Sequence, residues 1–291
     1  MSGSIGSHFV TRDEEKERFG KDYMTNLELY KKLNFPDEVI EKLTTYEKNR
    51  INDMPNNLVQ RLLNRTQWED AVEELKTYVG EDPDGIKILW EQLNIVCSYS
   101  YDEYTRLGIS EDIFIATMKF CTRFLNEYYS QHGSYKYIWA WWFPRQMSVL
   151  EFRIGALEYE LIDGTEKEIA VHIPSDADMC IESVKKSMSD FNKFRNQFFP
   201  EWETVKLTCD SWMMMPELEM FLGENSNIVK FQKLFTIENI DRDAIWYMGW
   251  IFPGYEIINN ELPENTTLQR ELKRYLLAGN KFGIAKGCIV K

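Results

Sequence analysis

The chain has 291 residues, a formal net charge of −13, 44% hydrophobic residues and 28% charged residues. That composition is ordinary for a globular protein and excludes wholesale disorder, while the length predicts two domains rather than one. The acid excess repels phosphate backbones, which excludes nucleic acid as a general partner and suits a small cationic or amine-bearing molecule better.

Residues 1–10 read as a small, polar, flexible tail without the basic-then-apolar pattern of a signal peptide. Residues 11–134 are expected to be helical. Asn26–Asn34 and Pro36–Asn49 carry helical apolar spacing, and Pro36 suits a first turn that needs no N–H. Trp68, Ala71, Val72, Leu75, Tyr78 and Val79 follow the stripe of an amphipathic helix, which Gly80 and Pro83 stop. Ser110 is placed to cap one longer helix with Ile113, Phe114, Phe120, Cys121, Phe124 and Tyr128 on its apolar face.

Near Ser134 the period changes, and residues 135–291 read as a mixed α/β layer. The aromatic stretch Tyr135, Tyr137, Trp139, Trp141, Trp142 and Phe143 is too dense for an alternating strand. It suits internal packing, or a stacking platform for a sugar. It also holds the longest apolar run, Tyr137–Phe143, too short to span a bilayer, so no membrane is expected and the default location is cytoplasmic.

Leu150, Phe152 and Ile154 alternate with Glu151 and Arg153, and after Gly155 the apolar phase shifts to Leu157, Tyr159 and Leu161. Such a shift requires a bulge or tight turn at Gly155–Ala156, because otherwise the buried face inverts. Asp163–Gly164 suits a hairpin turn. Ile169, Val171 and Ile173 form the next apolar face, with His172 on the other side beside Glu168 and Ala170. Pro174 ends that strand, and Ser175 or Asp176 is expected to cap a helix through Met179–Phe199. Further strands are expected at Thr204–Met214, Thr236–Ile240, Ala244–Phe252 and Phe282–Val290. Helices are expected at Pro216–Phe235, broken or bent at Gly223, and at Thr267–Ala278, capped by Thr266 or Thr267.

Chemistry concentrates where a strand end meets a helix start, at His172–Met179. Free backbone N–H groups and the helix dipole converge at such a junction. His172 has the residue type of a general base, and Asp176 or Asp178 can orient it or hold a cation; equally, Ser175 and Asp176 can be plain helix caps. Cys209 and Ser211 are candidate nucleophiles if His172 comes within reach, although alternation puts both on an apolar face. The five cysteines have no CxxC spacing and only three histidines occur, so no resident metal is expected. No Walker loop, GxSxG elbow, HExxH or GxGxxG after a strand is found.

Arg145-Gln146, the run Phe152–Leu161, HIPSDADM at His172–Met179, Cys209–Pro216, Ser226-Asn227-Ile228 and LPENTTLQR at Leu262–Arg270 together carry a resemblance. The sequence resembles bacterial acyltransferase-domain proteins that pair a helical N-acyltransferase N-terminal domain with a GNAT-like (N-acetyltransferase-like) C-terminal domain. The similarity covers nearly the whole chain after the tail. It implies an α+β fold, with a helical domain at 11–134 and a GNAT-like mixed β-sheet domain flanked by helices at 135–291.

It also implies acyl transfer from acetyl-CoA or another acyl-CoA to the amine of a small acceptor. In that superfamily the donor's pantetheine pairs with a splayed strand leading into a phosphate-binding helix N-terminus. The matching segments are Glu168–Ile173 and Pro174–Met179, so the resemblance places Val171, Ile173, Ser175, Ala177, Asp178, Met179 and, on a second helix, Asn227 at the donor. His172 is the implied base with Asp176 as its alternative, and Cys209 and Ser211 line the neighbouring strand. A base frees the amine, the amine attacks the thioester, and backbone N–H groups hold the oxyanion. The glycine-rich pyrophosphate signature is absent, with Asp176 and Asp178 in its place, and Phe231, Gln232 and Phe235 stand where a tyrosine acid is expected. Two other readings are a degenerate GNAT-like fold binding a sugar or peptide through its tryptophans, and a metal-assisted hydrolase using Asp176, Asp178 and His172.

Overall fold

A computed structural model describes residues 24–289; the expected tail at 1–10 lies outside them. The chain forms two compact units that divide between Val149 and Leu150. The first is helical. Asn26–Lys32 opens with a capping box between Thr25 and Glu28, and Asp37–Asn49 follows Pro36. Trp68–Val79 buries Trp68, Ala71, Val72 and Leu75 and stops at Gly80, whose φ of 68° favours glycine.

The single helix expected after Ser110 is two, Glu111–Met118 and Phe120–His132, and Ser110 makes no side-chain cap bond. Thr117 Oγ1 donates to the Ile113 carbonyl at 2.8 Å, a back-bond of the kind that bends helices. The aromatic segment belongs to this helical unit, whereas the change of period had placed it with the sheet. Tyr137 N–H donates to Asp84 O at 2.9 Å and Gln92 Nε2 to Ala140 O at 2.8 Å. Trp139 stacks on Phe124 with ring centres 4.1 Å apart. Internal packing thus accounts for Trp139, although Trp141 is half exposed.

The second unit is built on six strands: β1 (Glu151–Ile154), β2 (Leu157–Asp163), β3 (Lys167–His172), β4 (Leu207–Ser211), β5 (Thr236–Asp241) and β6 (Ile284–Ile289). Their order is β1-β2-β3-β4-β6-β5, with β3 and β4 parallel and every other neighbouring pair antiparallel. The architecture is α+β, as expected. The β1–β2 turn falls at Gly155, with φ of 64°, where a Cβ would stand 3.3 Å from Ser187 Cβ. Glycine answers both demands there.

Parallel strands need a crossover, and the helix Ile181–Phe198 supplies it between β3 and β4. Its inner side packs on the apolar sheet face: Phe191 stacks on Tyr159 with ring centres 3.9 Å apart, and Phe194 meets Phe152 at 4.9 Å. Ser187 Oγ bonds Tyr159 Oη at 2.9 Å and also donates to the Ile154 carbonyl, pinning the hairpin to the helix.

Arg195, 1% exposed, donates from Nη1 to Val205 O at 2.8 Å and Trp202 O at 3.2 Å, so it ties the helix to the approach of β4. Burial holds its pKa below the usual arginine value. Arg195→Met strips the donors from two carbonyls and is expected to cost about 1–3 kcal/mol in urea unfolding.

Two further expectations are corrected. Ala244–Phe252 is not a strand: a short helix, Tyr247–Ile251, turns Tyr247, Met248 and Ile251 inward. Thr204–Met214 shortens to β4 followed by a 3₁₀ turn at Trp212–Met214. Pro216–Phe235 is broken at Gly223, at φ 76°, into two helices, Leu218–Leu222 and Asn227–Gln232, the first of the two outcomes expected at that residue. Thr266 caps Thr267–Leu277 through a capping box with Gln269, as its sequence suggests. No described helix is long and apolar enough to cross a membrane.

Candidate active site

The parallel pair β3–β4 is joined at only two register positions, Ile169 with Leu207 and Ala170 with Thr208. Beyond them the strands part company. Val171 and His172 stay paired with Tyr159 and Glu158 of β2, while Cys209, Asp210 and Ser211 stay paired with Gly287, Lys286 and Ala285 of β6. Pro174, with no N–H to give, follows the end of β3. The sheet therefore opens at the carboxyl ends of two parallel strands, where α/β proteins commonly receive ligands.

His172 stands at that opening, on the polar face of the sheet, with its side chain 26% exposed. Cross-strand register fixes its neighbours. Glu151 of β1 lies opposite Glu160 of β2, Arg153 opposite Glu158, and Glu158 opposite His172. Glu151, Glu158 and Glu160 are all buried, Glu151 completely. His172 Nε2 bonds Glu160 Oε2 at 3.0 Å. Burial alone depresses the imidazole pKa, but the bond to Glu160 and the fields of Glu151, Glu160 and Glu158 outweigh it, so His172 titrates above an ordinary histidine.

That shift has a stability consequence with a fixed sign. An unfolded imidazole titrates near ~6.5, and the folded one binds its proton more tightly. The extra stability is complete below that pH and is lost as pH rises through the folded value. The gap in melting temperature between the wild type and His172→Gln is expected to be widest near pH 5 and to shrink as His172 deprotonates, readable by circular dichroism.

The other candidates fall into place one by one. Asp176 bonds Arg153 Nη1 at 2.9 Å, and Arg153 also approaches Glu158 at 3.7 Å. Neither Ser175 nor Asp176 caps the crossover helix, whose N-cap residue is Cys180 and which starts at Ile181. No side chain caps it, and Asp178 instead braces the segment that leads into the helix. It accepts from Cys180 N–H at 2.9 Å and from the Ser183 hydroxyl, and these two bonds hold its carboxyl below its usual range. Ser175 and Asn227 are exposed, and Ala177 N–H closes a turn onto Pro174 O at 2.9 Å.

Cys209 and Ser211 sit on the opposite sheet face from His172, by the register that pairs Ala170 with Thr208. Cys209 is 1% exposed, and burial and then Asp210 push its thiol pKa far up. Ser211 Oγ accepts from Met213 N–H at 3.1 Å. Neither is brought to the imidazole. Among the described residues, the metal-type donors that converge are Glu151, Glu160 and His172, whose atoms lie within 4.8 Å of one another; Asp176 and Asp178 do not join them.

Glu151, Glu158 and Glu160 are the residues that sequence reasoning missed. The signal was present: the phase shift at Gly155 puts all three carboxylates on the sheet face that also carries His172.

Residues 24–149 match the family model described as the N-acyltransferase N-terminal domain, and residues 151–289 match the GNAT-like C-terminal domain. Solved structures share the fold. An acyltransferase mutant in complex with octanoyl-CoA superposes with a TM-score of 0.71 at 17% identity, covering 91% of this chain and 87% of that one. An acyltransferase in complex with decanoyl-CoA gives 0.64 at 18% identity, covering 92% and 99%. An acyltransferase in complex with decanoyl-CoA and teicoplanin gives 0.62 at 18% identity, with the same coverage. No curated protein gave a match.

Proposed function

We propose, for a chain that belongs to the family joining an N-acyltransferase N-terminal domain to a GNAT-like C-terminal domain, that it transfers an acyl group from acyl-CoA to the amine of a small cationic acceptor. The observation that carries this reading is the opening between β3 and β4 with His172 at its edge. Acyl-CoA complexes of the structural neighbours support the donor, and the complex holding both decanoyl-CoA and teicoplanin supports a site for two substrates. A donor of this kind supports a cytoplasmic location for the reaction.

Val171 and Ile173, on the strand edge that β4 abandons, pair with the pantetheine arm in place of the missing ladder. Ser175, Ala177 and Met179 lead the donor toward the crossover helix. Asp178 sets a carboxylate just before that helix, so the diphosphate needs positive charge from side chains. Lys230 and Lys185 are the available source. Both act on Glu182 in the first turn of that helix, whose carboxyl is held low first by the Cys180 thiol and its own backbone N–H and then by these two lysines. Lys230→Glu is expected to raise KM for acyl-CoA several-fold while leaving KM for an acyl-pantetheine, which lacks the diphosphate, unchanged.

His172 takes the proton from the attacking amine. The C–N bond forms as the C–S bond breaks, and the thiolate of CoA receives a proton as it leaves. Backbone N–H groups of the opened strand edge hold the oxyanion. No covalent intermediate is involved, which agrees with Cys209 and Ser211 lying on the other face. Calorimetric titration with acetyl-CoA and longer acyl-CoAs tests the donor, with binding below millimolar expected. A folded protein that binds none of them would end the proposal. Thiol release with a panel of polyamines and amino sugars then identifies the acceptor.

A further inference from the structure

Resting on the reading of His172 as the base, we infer that Glu160 is a positioning residue that holds the imidazole by Nε2 and thereby makes Nδ1 the nitrogen that takes the amine proton. The argument is one of donors and acceptors. An ionised carboxylate only accepts hydrogen bonds, so the 3.0 Å contact from Glu160 Oε2 requires the proton on Nε2. A neutral imidazole with its hydrogen there carries its lone pair on Nδ1. The tautomer, and with it the direction from which an acceptor approaches, follows from one carboxylate.

Glu160 is well placed to do this. It sits on the middle strand of the β1–β2–β3 meander, opposite Glu151 on one side and Ala170 on the other. His172, two residues beyond Ala170, is its diagonal neighbour on the same face, a spacing long side chains can bridge. With only 2% of its surface exposed, Glu160 has little freedom to leave. Glu158, directly opposite His172, faces Arg153 across β1 instead. Of the pair, the imidazole is the exposed member, 26% against 3% for the carboxylate. The acceptor therefore meets the histidine and not the glutamate.

The charged groups around the imidazole come from two strands, Glu151 and Arg153 on β1 and Glu158 and Glu160 on β2, with Asp176, beyond the end of β3, paired to Arg153 at 2.9 Å. Carboxylates predominate, and they stabilise the imidazolium that forms when the amine loses its proton. The step balances. The amine N–H bond breaks, the proton passes to Nδ1, nitrogen bonds to the thioester carbon, and the imidazolium returns its proton to the departing thiolate.

The test uses the full chain with Glu160→Gln and Glu160→Asp, each checked for its melting temperature. Long-range proton–nitrogen spectra of ¹⁵N-histidine-labelled protein, assigned with His172→Gln, are expected to show the Nε2–H tautomer for neutral His172. Glu160→Gln is expected to lower kcat by about 10- to 100-fold, with KM for acyl-CoA unchanged. It should also move the rising limb of the pH–kcat profile toward lower pH, while Glu160→Asp keeps part of both. A purely structural glutamate would not shift that limb. An Nδ1–H tautomer in the wild type, or a limb that stays put in Glu160→Gln, overturns the inference. Full turnover in His172→Gln alongside the Nε2–H tautomer would instead sink the base reading and leave only the side-chain pairing.

Discussion

His172→Gln is expected to lower kcat/KM for amine acylation by about 100- to 10,000-fold, the range over which a positioned general base acts. Glutamine keeps a side chain of similar reach that can still bond Glu160, so the hairpin is preserved while the basic nitrogen is lost. Donor affinity should not change, because Val171 and Ile173 offer backbone groups rather than side chains. The same substitution should erase the rising limb of the pH–rate profile. In the wild type that limb lies above the pKa of a free histidine, because the buried glutamates outweigh the cost of desolvating the imidazole. A parallel loss with every amine tested would place the defect in proton transfer and not in recognition of one acceptor.

Phe191→Ala is expected to destabilise the chain by about 3–5 kcal/mol, measured by urea unfolding of the full-length protein. Phe191 is fully buried and lies flat against Tyr159, with ring centres 3.9 Å apart and 3° between the planes. Truncation loses the transfer energy of the ring and opens a cavity between helix and sheet. Tyr159 pairs with Val171, next to His172, so the damage should also reach the opening. The variant should lose donor affinity well below its melting temperature, whereas Arg195→Met should lose mainly stability.

Much of this architecture could be read from residues in order. Gly155 announced the β1–β2 hairpin because a period-two pattern cannot change phase without a turn, and Trp68–Val79 announced its helix through unbroken periodicity. Local pattern failed where tertiary contacts decide. Ile245, Trp246 and Tyr247 look like strand residues in isolation, yet a helical turn buries Tyr247, Met248 and Ile251 together. The segment 135–149 joined the helical unit through bonds to Asp84, Gln92 and Ser100, partners distant in sequence.

The site was half visible. His172 stands out as a rare residue at a strand end. Its carboxylate neighbours do not, because charged residues alternating with apolar ones ordinarily mean a solvated face. Only burial of Glu151, Glu158 and Glu160 turns that alternation into an electrostatic environment. The opening itself is a matter of register. Where β4 leaves β3 for β6 depends on pairing between segments far apart in the chain, such as Thr208 with Cys288, and no local sequence signal carries it.

Hydrogen exchange of the full-length protein, with and without a saturating acyl-CoA, tests the central claim most directly. The amide of Ile173 is expected to exchange markedly more slowly when the donor is bound, because its pantetheine arm supplies the hydrogen bond that β4 withholds. Donor binding that leaves that amide unchanged, or protects only residues outside the second unit, would contradict it.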